Sequence, residues 1–249
     1  MKITVITVCY NSEKTIQETI ESVLSQDYGD VEYLIIDGAS TDSTKYILAH
    51  YSSESTVRFI SEPDEGMWDA MNKGAALAKG EYVCFLNSDD CFASHSILSD
   101  LAAKLRNEKL DAVFGYIDIV DSNNSDIVVR KYRVSRLSRK LLRMGIMPAH
   151  PGFICKACFF QRFGGFKLDS KIAPDFELMV RFYLQGHLKA GLLPKVIVKM
   201  KDGGLSNTNL AYILGRFRRQ VYSCKINGLW TSSFLVLAKY PYKLLEFFR

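Results

Sequence analysis

The first ninety residues alternate short apolar runs with amphipathic stretches, and this alternation restricts the fold more than any other feature. Ile3 to Val8, Val31 to Ile36, Val57 to Ile60 and Tyr82 to Leu86 are near-continuous apolar runs of strand length. Between them, Ile16, Ile20, Val23 and Leu24 recur at helical spacing, a second helix carries Ile47 and Leu48, and a third is predicted from about Met67 to Ala78. Strands that are apolar throughout need cover on both faces. The alternation therefore predicts an α/β fold: right-handed crossovers and a Rossmann-like, mostly parallel sheet flanked by helices.

Each of these runs stops in polar residues. They are Cys9-Tyr10-Asn11, Asp37-Gly38-Ala39-Ser40-Thr41-Asp42, Ser61-Glu62-Pro63-Asp64-Glu65-Gly66 and Asn87-Ser88-Asp89-Asp90. Parallel strands place such ends on one edge, where ligands of open α/β sheets bind. The last end is the most informative. Adjacent carboxylates repel each other and resist burial unless a cation or hydrogen-bond donors meet them. A hard cation such as Mg²⁺ uses one or two carboxylates plus substrate phosphates. The stretch thus reads as a metal–diphosphate site or as a capped turn, since Asn-Ser-Asp-Asp also suits turns and helix N-caps. Four polar strand ends on one edge favour the site.

Past Asp90 the pattern changes. A helix is predicted from about Ser96 to Leu105, then an alternating strand from Ala112 to Val120 and a hairpin turn at Ser122-Asn123-Asn124-Ser125 into Ile127 to Val129. Gly152 to Lys156 and Leu192 to Met200 read as further strands. Pro174-Asp175-Phe176-Glu177 opens a helix, with Pro tolerated in the first turn and acids suiting the dipole. Lys201-Asp202-Gly203-Gly204-Leu205-Ser206 is a turn, and two helical segments follow, split near Asn227-Gly228.

The length suits one large α/β domain, with or without a small appendage. The N-terminus enters a strand at once, without a signal region, and no apolar run is long enough to span a bilayer, so the cytosol is the default compartment. Cys155 and Cys158 form a lone C-x-x-C without a second pair, which reads as buried thiols rather than zinc ligands. Charge is uneven. Arg130, Lys131, Arg133, Arg136, Arg139, Lys140 and Arg143 have no acid between them, and from Leu210 on seven Lys and Arg face one acid, Glu246. Such blocks suggest an anionic partner: a membrane surface, nucleic acid or a phosphorylated substrate. No nucleic-acid motif accompanies them, so nucleic acid is not expected.

Taken together, these stretches resemble family 2 glycosyltransferases of the GT-A fold, most closely the bacterial branch that builds O-antigen, capsule or exopolysaccharide. The resemblance rests on Thr7-Val8-Cys9-Tyr10-Asn11, the polar ends after Asp37, Ser61 and Leu86, Asp69-Ala70-Met71-Asn72-Lys73-Gly74, His150-Pro151, Pro174-Asp175 and Gly203-Gly204-Leu205-Ser206. It implies a catalytic domain over residues 1–206, with residues 1–90 binding the nucleotide-sugar and 91–206 the acceptor, and a basic helical appendage over 207–249. It further implies that Thr7, Tyr10, Asn11 and Asp37 hold the uracil and ribose of a UDP-sugar, and that Asp64 and Lys73 complete the nucleotide pocket. Asn87-Ser88-Asp89 stands at the family's D-x-D position, with Asn87 and Ser88 on the nucleotide-sugar and Asp89 on Mg²⁺ or Mn²⁺. Asn87 departs from the pattern by bringing an amide and no charge. Asp175 resembles the general base of inverting members, and the implied acceptor is a sugar on a polyprenyl diphosphate.

The chemistry fits these assignments. A departing nucleoside diphosphate carries charge that a divalent ion stabilises, and one carboxylate on the opposite face deprotonates the acceptor hydroxyl. Several readings stay open at this level. Asp175 serves as base or only as a helix N-terminal acid, His150 lines the acceptor pocket or is an ordinary loop histidine, and Trp68 stacks on sugar or packs in the core. The rival functions are a sugar nucleotidyltransferase, disfavoured because Cys9-Tyr10-Asn11-Ser12 is no Gly-rich phosphate loop, and a non-catalytic nucleotide-sugar-binding module. The apolar, basic C-terminal segment reads as a dock on the inner face of the cytoplasmic membrane, or as a helix pair packed on the catalytic domain or across a homodimer.

Overall fold

The structure is a computed structural model that describes residues 1–203 and 210–237. The first half follows the expected alternation: β1 (Ile3–Cys9), α1 (Ile16–Leu24), β2 (Val31–Asp37), α2 (Thr44–His50), β3 (Val57–Ser61), α3 (Met67–Leu77) and β4 (Tyr82–Phe85). All four strands pair in parallel, in the order β3-β2-β1-β4. Every residue of β1 is buried, because it has a partner on each side and cover on each face. Val5 and Tyr33 go to one core cluster while Ile6 and Leu34 go to the other, as the two-residue period of a strand requires. The register sets Cys9 beside Asp37 and Asp37 beside Ser61, so the polar ends come out level.

The second half continues the same sheet with different pairing. It contains β5 (Cys91–Phe92), α4 (Ile97–Glu108), β6 (Ala112–Val120), β7 (Val128–Tyr132), α5 (Arg139–Arg143), a 3₁₀ turn over His150–Gly152, β8 (Phe153–Lys156), α6 (Ala157–Phe163), α7 (Pro174–Leu184), β9 (Ala190–Lys201), α8 (Leu210–Ile226) and α9 (Ser233–Leu237). β8 joins β4 antiparallel and β6 joins β8 antiparallel, while β9 runs parallel to β6 with β5 antiparallel on its far side. β7 hangs on β6 as the expected hairpin, but its strand is Val128–Tyr132, because Arg130, Lys131 and Tyr132 pair with Ile119, Asp118 and Ile117. Part of the first basic block is therefore strand rather than loop. The helix expected from about Ser12 starts at Ile16, since Ser12 is occupied in a turn: its N–H donates to Thr44 Oγ1 and its carbonyl accepts from Thr15 and Ile16.

One core cluster contains Ile6, Leu34 and Phe85 from the first half with Phe114, Phe153, Phe176 and Phe182 from the second. The two expected halves thus share their core. Cys224 and Leu229 belong to the same cluster, so the described C-terminal helices pack on the rest of the chain. The turn at Gly204-Leu205-Ser206 and the run from Lys239 to Arg249 lie outside the described residues.

Candidate active site

The strand-end edge is organised by Asp37, which is wholly buried at the end of β2. Its Oδ1 accepts from the hydroxyl of Ser40 and, at 3.7 Å, from the Cys9 thiol. Its Oδ2 accepts from Ser40 N at 3.1 Å and from Ser61 Oγ at 2.6 Å. One carboxylate therefore ties the ends of β1, β2 and β3, with hydrogen-bond donors supplying what a cation otherwise would. The Cys9 thiol is pushed well up, by burial first and by the Asp37 charge second, and stays a donor.

Asn11 follows in the left-handed region at φ 49°, which Asn tolerates better than most residues. Its Oδ1 accepts from Thr41 N at 2.9 Å and its N–H donates to Ser40 Oγ at 2.8 Å, fastening the first loop to the second. Ser12 Oγ lies 2.9 Å from Ser88 Oγ and fastens it to the fourth. Asp64 caps Gly66 N at 2.8 Å and crosses over Gly38, where a Cβ would lie 2.5 Å from Asp64 Oδ2. Tyr10, by contrast, stands 62% exposed beside these loops.

Two nucleotide-pocket assignments take a different position. Thr7 is wholly buried and its hydroxyl accepts from Tyr33 at 3.1 Å, so its side chain offers no surface to a nucleotide. The reason is register: Thr7 is two residues short of the strand end, beneath Cys9. Lys73 donates to the Pro63 carbonyl at 2.7 Å and pairs with Glu62 and Asp69, which makes it a strut under the 61–66 loop.

At the fourth strand end, Asn87 Nδ2 donates to Asp90 Oδ2 at 2.9 Å. Asp90 is wholly buried and, among the described residues, its Oδ1 has no hydrogen-bond partner. Burial first and the neighbouring Asp89 second push its carboxyl up to about 8, and burial raises Asp89 as well. Asp89 lines a groove of about 400 Å³ with Glu18, Lys199 and Lys201. Among the described residues no three His, Cys, Asp or Glu side chains form a metal cluster. An orphaned buried oxygen beside a second carboxylate nonetheless fits a divalent ion that takes its remaining ligands from a diphosphate and water.

The second half of the chain brings Asp175 and His150 to a second cavity, of about 10 Å³, which they line with Val83 and Phe85 of β4 and with Phe166. Asp175 sits in the first turn of α7, where Oδ1 accepts from Phe176 N at 2.7 Å, and among the described residues no hydrogen bond engages Oδ2. His150 is caged by aromatics: stacked on Trp68 at 5.9 Å, and 5.1 and 5.2 Å from Phe85 and Phe166. Its Nε2 lies 3.4 Å from Met71 Sδ. Burial lowers its pKa against the opposing pull of the Asp175 charge, so the imidazole is neutral at neutral pH. Trp68 is part of this wall and also packs on the core.

Sequence reasoning missed the residues that hold this wall in place. Asn72 grips Phe166 from both sides, through its Nδ2 to the carbonyl at 2.8 Å and its Oδ1 to the N–H at 2.7 Å. Arg181 donates to the carbonyls of Phe163, Gly164 and Gly165 and pairs with the wholly buried Glu177 at 2.8 Å. Glu177 and Arg181 stand four apart on one helix, an opposite-charge spacing that was readable in the sequence. Asn72 carried no such signal, because its partner lies 94 residues away.

A profile described as glycosyl transferase family 2 matches residues 4–167, a span that ends before Asp175. The PGL/p-HBAD biosynthesis glycosyltransferase of Mycobacterium bovis is 30% identical over 193 residues, covering 76% of this chain and 73% of that protein. Its name points to PGL/p-HBAD biosynthesis rather than to the O-antigen or capsule branch. Among solved structures, S. aureus TarS in complex with UDP-GlcNAc aligns with a TM-score of 0.71 at 21% identity, covering 90% of this chain and 66% of that one. The chain thus spans just under two thirds of that TarS structure. The mannosyltransferase PcManGT from Pyrobaculum calidifontis, in complex with GDP-Man and Mn²⁺, aligns with a TM-score of 0.68 at 20% identity, covering 97% of this chain and 69% of that one. These two likenesses establish a GT-A-like fold.

Proposed function

The chain belongs to glycosyl transferase family 2, and from that premise we propose that it moves a hexosyl or N-acetylhexosaminyl group from a UDP-sugar, with inversion, to a hydroxyl of a polyprenyl-diphosphate-linked sugar. The observation that carries this reading is the position of Asp175. It lies 86 residues beyond Asp89 in the chain, yet shares a cavity with Phe85, two residues before Asn87 on the donor-binding strand. Among the described residues one oxygen of this carboxylate carries no hydrogen bond, which supports its use as a base on the side of the sheet opposite the Asp89 loop's groove.

In this mechanism the uracil and ribose lie against Tyr10, Asn11 and the loop that Asp37 and Asp64 organise, with Asn87 and Ser88 at the inner end. Asp89, with Asp90 behind it, would hold Mg²⁺ or Mn²⁺. When bound, the ion stabilises the charge of the departing diphosphate as a Lewis acid. Asp175 accepts the acceptor hydroxyl proton as the new C1–O bond forms and the C1–O bond to the diphosphate breaks, releasing UDP. His150, neutral and caged, walls the acceptor side and excludes water from C1. The complexes of structural relatives with UDP-GlcNAc, UDP and GDP-Man support a nucleotide-sugar donor. The M. bovis relative, a PGL/p-HBAD biosynthesis glycosyltransferase, supports glycosyl transfer, with the lipid-linked acceptor the finer part of the proposal.

The test is a panel of nucleotide-sugars scored for nucleotide release, followed by two variants. Asp175→Asn keeps shape and removes basicity, and should lower turnover by ~10²–10⁴-fold with UDP affinity unchanged. Asp89→Ala should abolish metal-dependent UDP binding in calorimetry. Near-normal transfer by Asp175→Asn removes Asp175 as base, and a product of retained configuration rules out single displacement.

A further inference from the structure

The two basic blocks are far apart in sequence, and the fold joins them. Arg143 of α5 lies with its guanidinium 4.6 Å over the Trp230 ring and donates from Nε to the Trp230 carbonyl at 3.0 Å. Thr231 Oγ1 returns a hydrogen bond to the Arg143 carbonyl. Val236 is fully buried beneath the turn after α5, where a Cβ on Gly145 would meet it at 3.2 Å. Leu229 is buried in the main core. The segment from Leu229 to Leu237 is thus pinned at both ends, and its largest apolar groups point outward. Trp230 is 66% exposed and Phe234 is 84% exposed, with Leu237 one helical turn farther on at 46%.

Exposed cations lie on the two helices that hold this apolar ridge. Arg139 and Lys140 on α5 are exposed. On α8 the buried stripe is Phe217, Gln220, Cys224, and the opposite stripe is Arg218, Tyr222, Lys225. Counter-charge is scarce, because residues 127–168 contain no Asp or Glu and the chain beyond Asp202 contains only Glu246. A protein partner with an ordinary mixed surface would not exploit such a one-signed field, and two copies of it would repel. Exposed aromatic and aliphatic tips on elements that also carry exposed cations match the layering of a bilayer surface, with tips at the acyl boundary and cations at anionic headgroups.

We propose that α5 together with Trp230, Phe234 and α8 forms one docking surface for an anionic lipid bilayer. The surface requires the tertiary fold, since α5 and the C-terminal helices each supply half of it. It is also tied to the acceptor wall. Ser223 of α8 accepts from Ala173 N, just before α7, and Asn227 donates to Glu177, two residues from Asp175 in the first turn of α7. The bilayer dock therefore braces the helix that carries Asp175, and it does so independently of which sugar is transferred.

The experiment is flotation of the full chain with vesicles of phosphatidylcholine alone or mixed with phosphatidylglycerol, at low and high salt. The protein should float with the anionic vesicles at low salt, and much less with the neutral ones or at high salt. Trp230→Ser/Phe234→Ser and, separately, Arg139→Glu/Lys140→Glu should each lower partitioning by about tenfold or more, since each basic residue near an anionic surface contributes about fivefold in affinity. All four positions are exposed, and each variant should keep a single cooperative melt, lowered only where Trp230→Ser removes the Arg143 stack, while the binding is lost. Equal flotation with both vesicle types, or none, overturns the proposal. Retained binding by Arg139→Glu/Lys140→Glu also overturns it, because the dock then does not include α5. A dimer in solution that Phe234→Ser converts to monomer assigns the ridge to a second copy of the chain and overturns it likewise.

Discussion

Gly38 illustrates how a single residue sets the strand-end edge where the donor is proposed to bind. It has room only for hydrogen, because a Cβ would lie 2.5 Å from Asp64 Oδ2 and 3.2 Å from its Cγ. Gly38→Ala must push the Asp64 carboxylate off its seat on Gly66 N. Losing a charged hydrogen bond at the pocket rim costs about 1.5–3 kcal/mol, so UDP should bind ~10- to 100-fold more weakly. Calorimetry on the variant measures this directly, and an unaltered dissociation constant would take Asp64 out of the nucleotide pocket. Asp37 differs in kind. Its oxygens are already engaged by Cys9, Ser40 and Ser61, so it shapes the pocket whether or not it also touches the base.

At the scale of elements, α7 is the part whose placement matters most. Its first turn carries both Asp175 and Glu177, and Arg181, Lys167 and Asn227 surround the latter. Glu177→Ala leaves Arg181 buried and unpaired and releases the 163–165 carbonyls that Arg181 gathers, so a loss of about 3–5 kcal/mol is expected in urea unfolding. Burial by itself would raise the Glu177 pKa, but the hydrogen bonds from Arg181, Asn227 and Lys167 and the charge of Arg181 overcome it and hold the group below its ordinary 4.5. A depressed carboxylate contributes stability that is complete above the unfolded value and is lost as pH falls through the lower folded value. The stability gap between wild type and Glu177→Ala should therefore be full at neutral pH and narrow in acid below 4.5. A gap that stays constant through the acid range would mean that packing, not ionisation, carries the cost.

At the scale of the whole molecule, one sheet and two shared core clusters run through both halves of the chain. Thermal unfolding followed by near-UV and far-UV circular dichroism should give coincident transitions. A fragment ending at Asp90 strips β8 from β4, and Phe85 loses Phe160 and Phe166, so that fragment should show no cooperative melt. Truncation after Asn209 should also destabilise the remainder. It removes Phe217, Leu229 and Val236, each buried and each contributing about 1.5–3 kcal/mol. Two separated transitions, or a truncated chain as stable as the whole, would show that the core is divided where the sequence changes character.

The sequence alone determined the features whose causes are local. The period of Ile3 to Val8 and of Ile16, Ile20 and Val23 specifies strand and helix, because backbone geometry alone decides which side chains share a face. Asp37, Asp64 and Asp89 were legible as one edge, since parallel strands with right-handed crossovers bring their ends together. Tertiary structure alone decided that Thr7 lies under that edge and that Lys73 props a loop. It also decided that Arg181 and Asn72 fix Phe166 against His150, and that Arg143 meets Trp230 across 87 residues of chain. Such contacts depend on how far β8 inserts beside β4 and where α8 settles on α7. Periodicity carries no such distances. They arise only when apolar faces contributed from distant parts of the chain close on one another and fix the spacing of the polar groups between them.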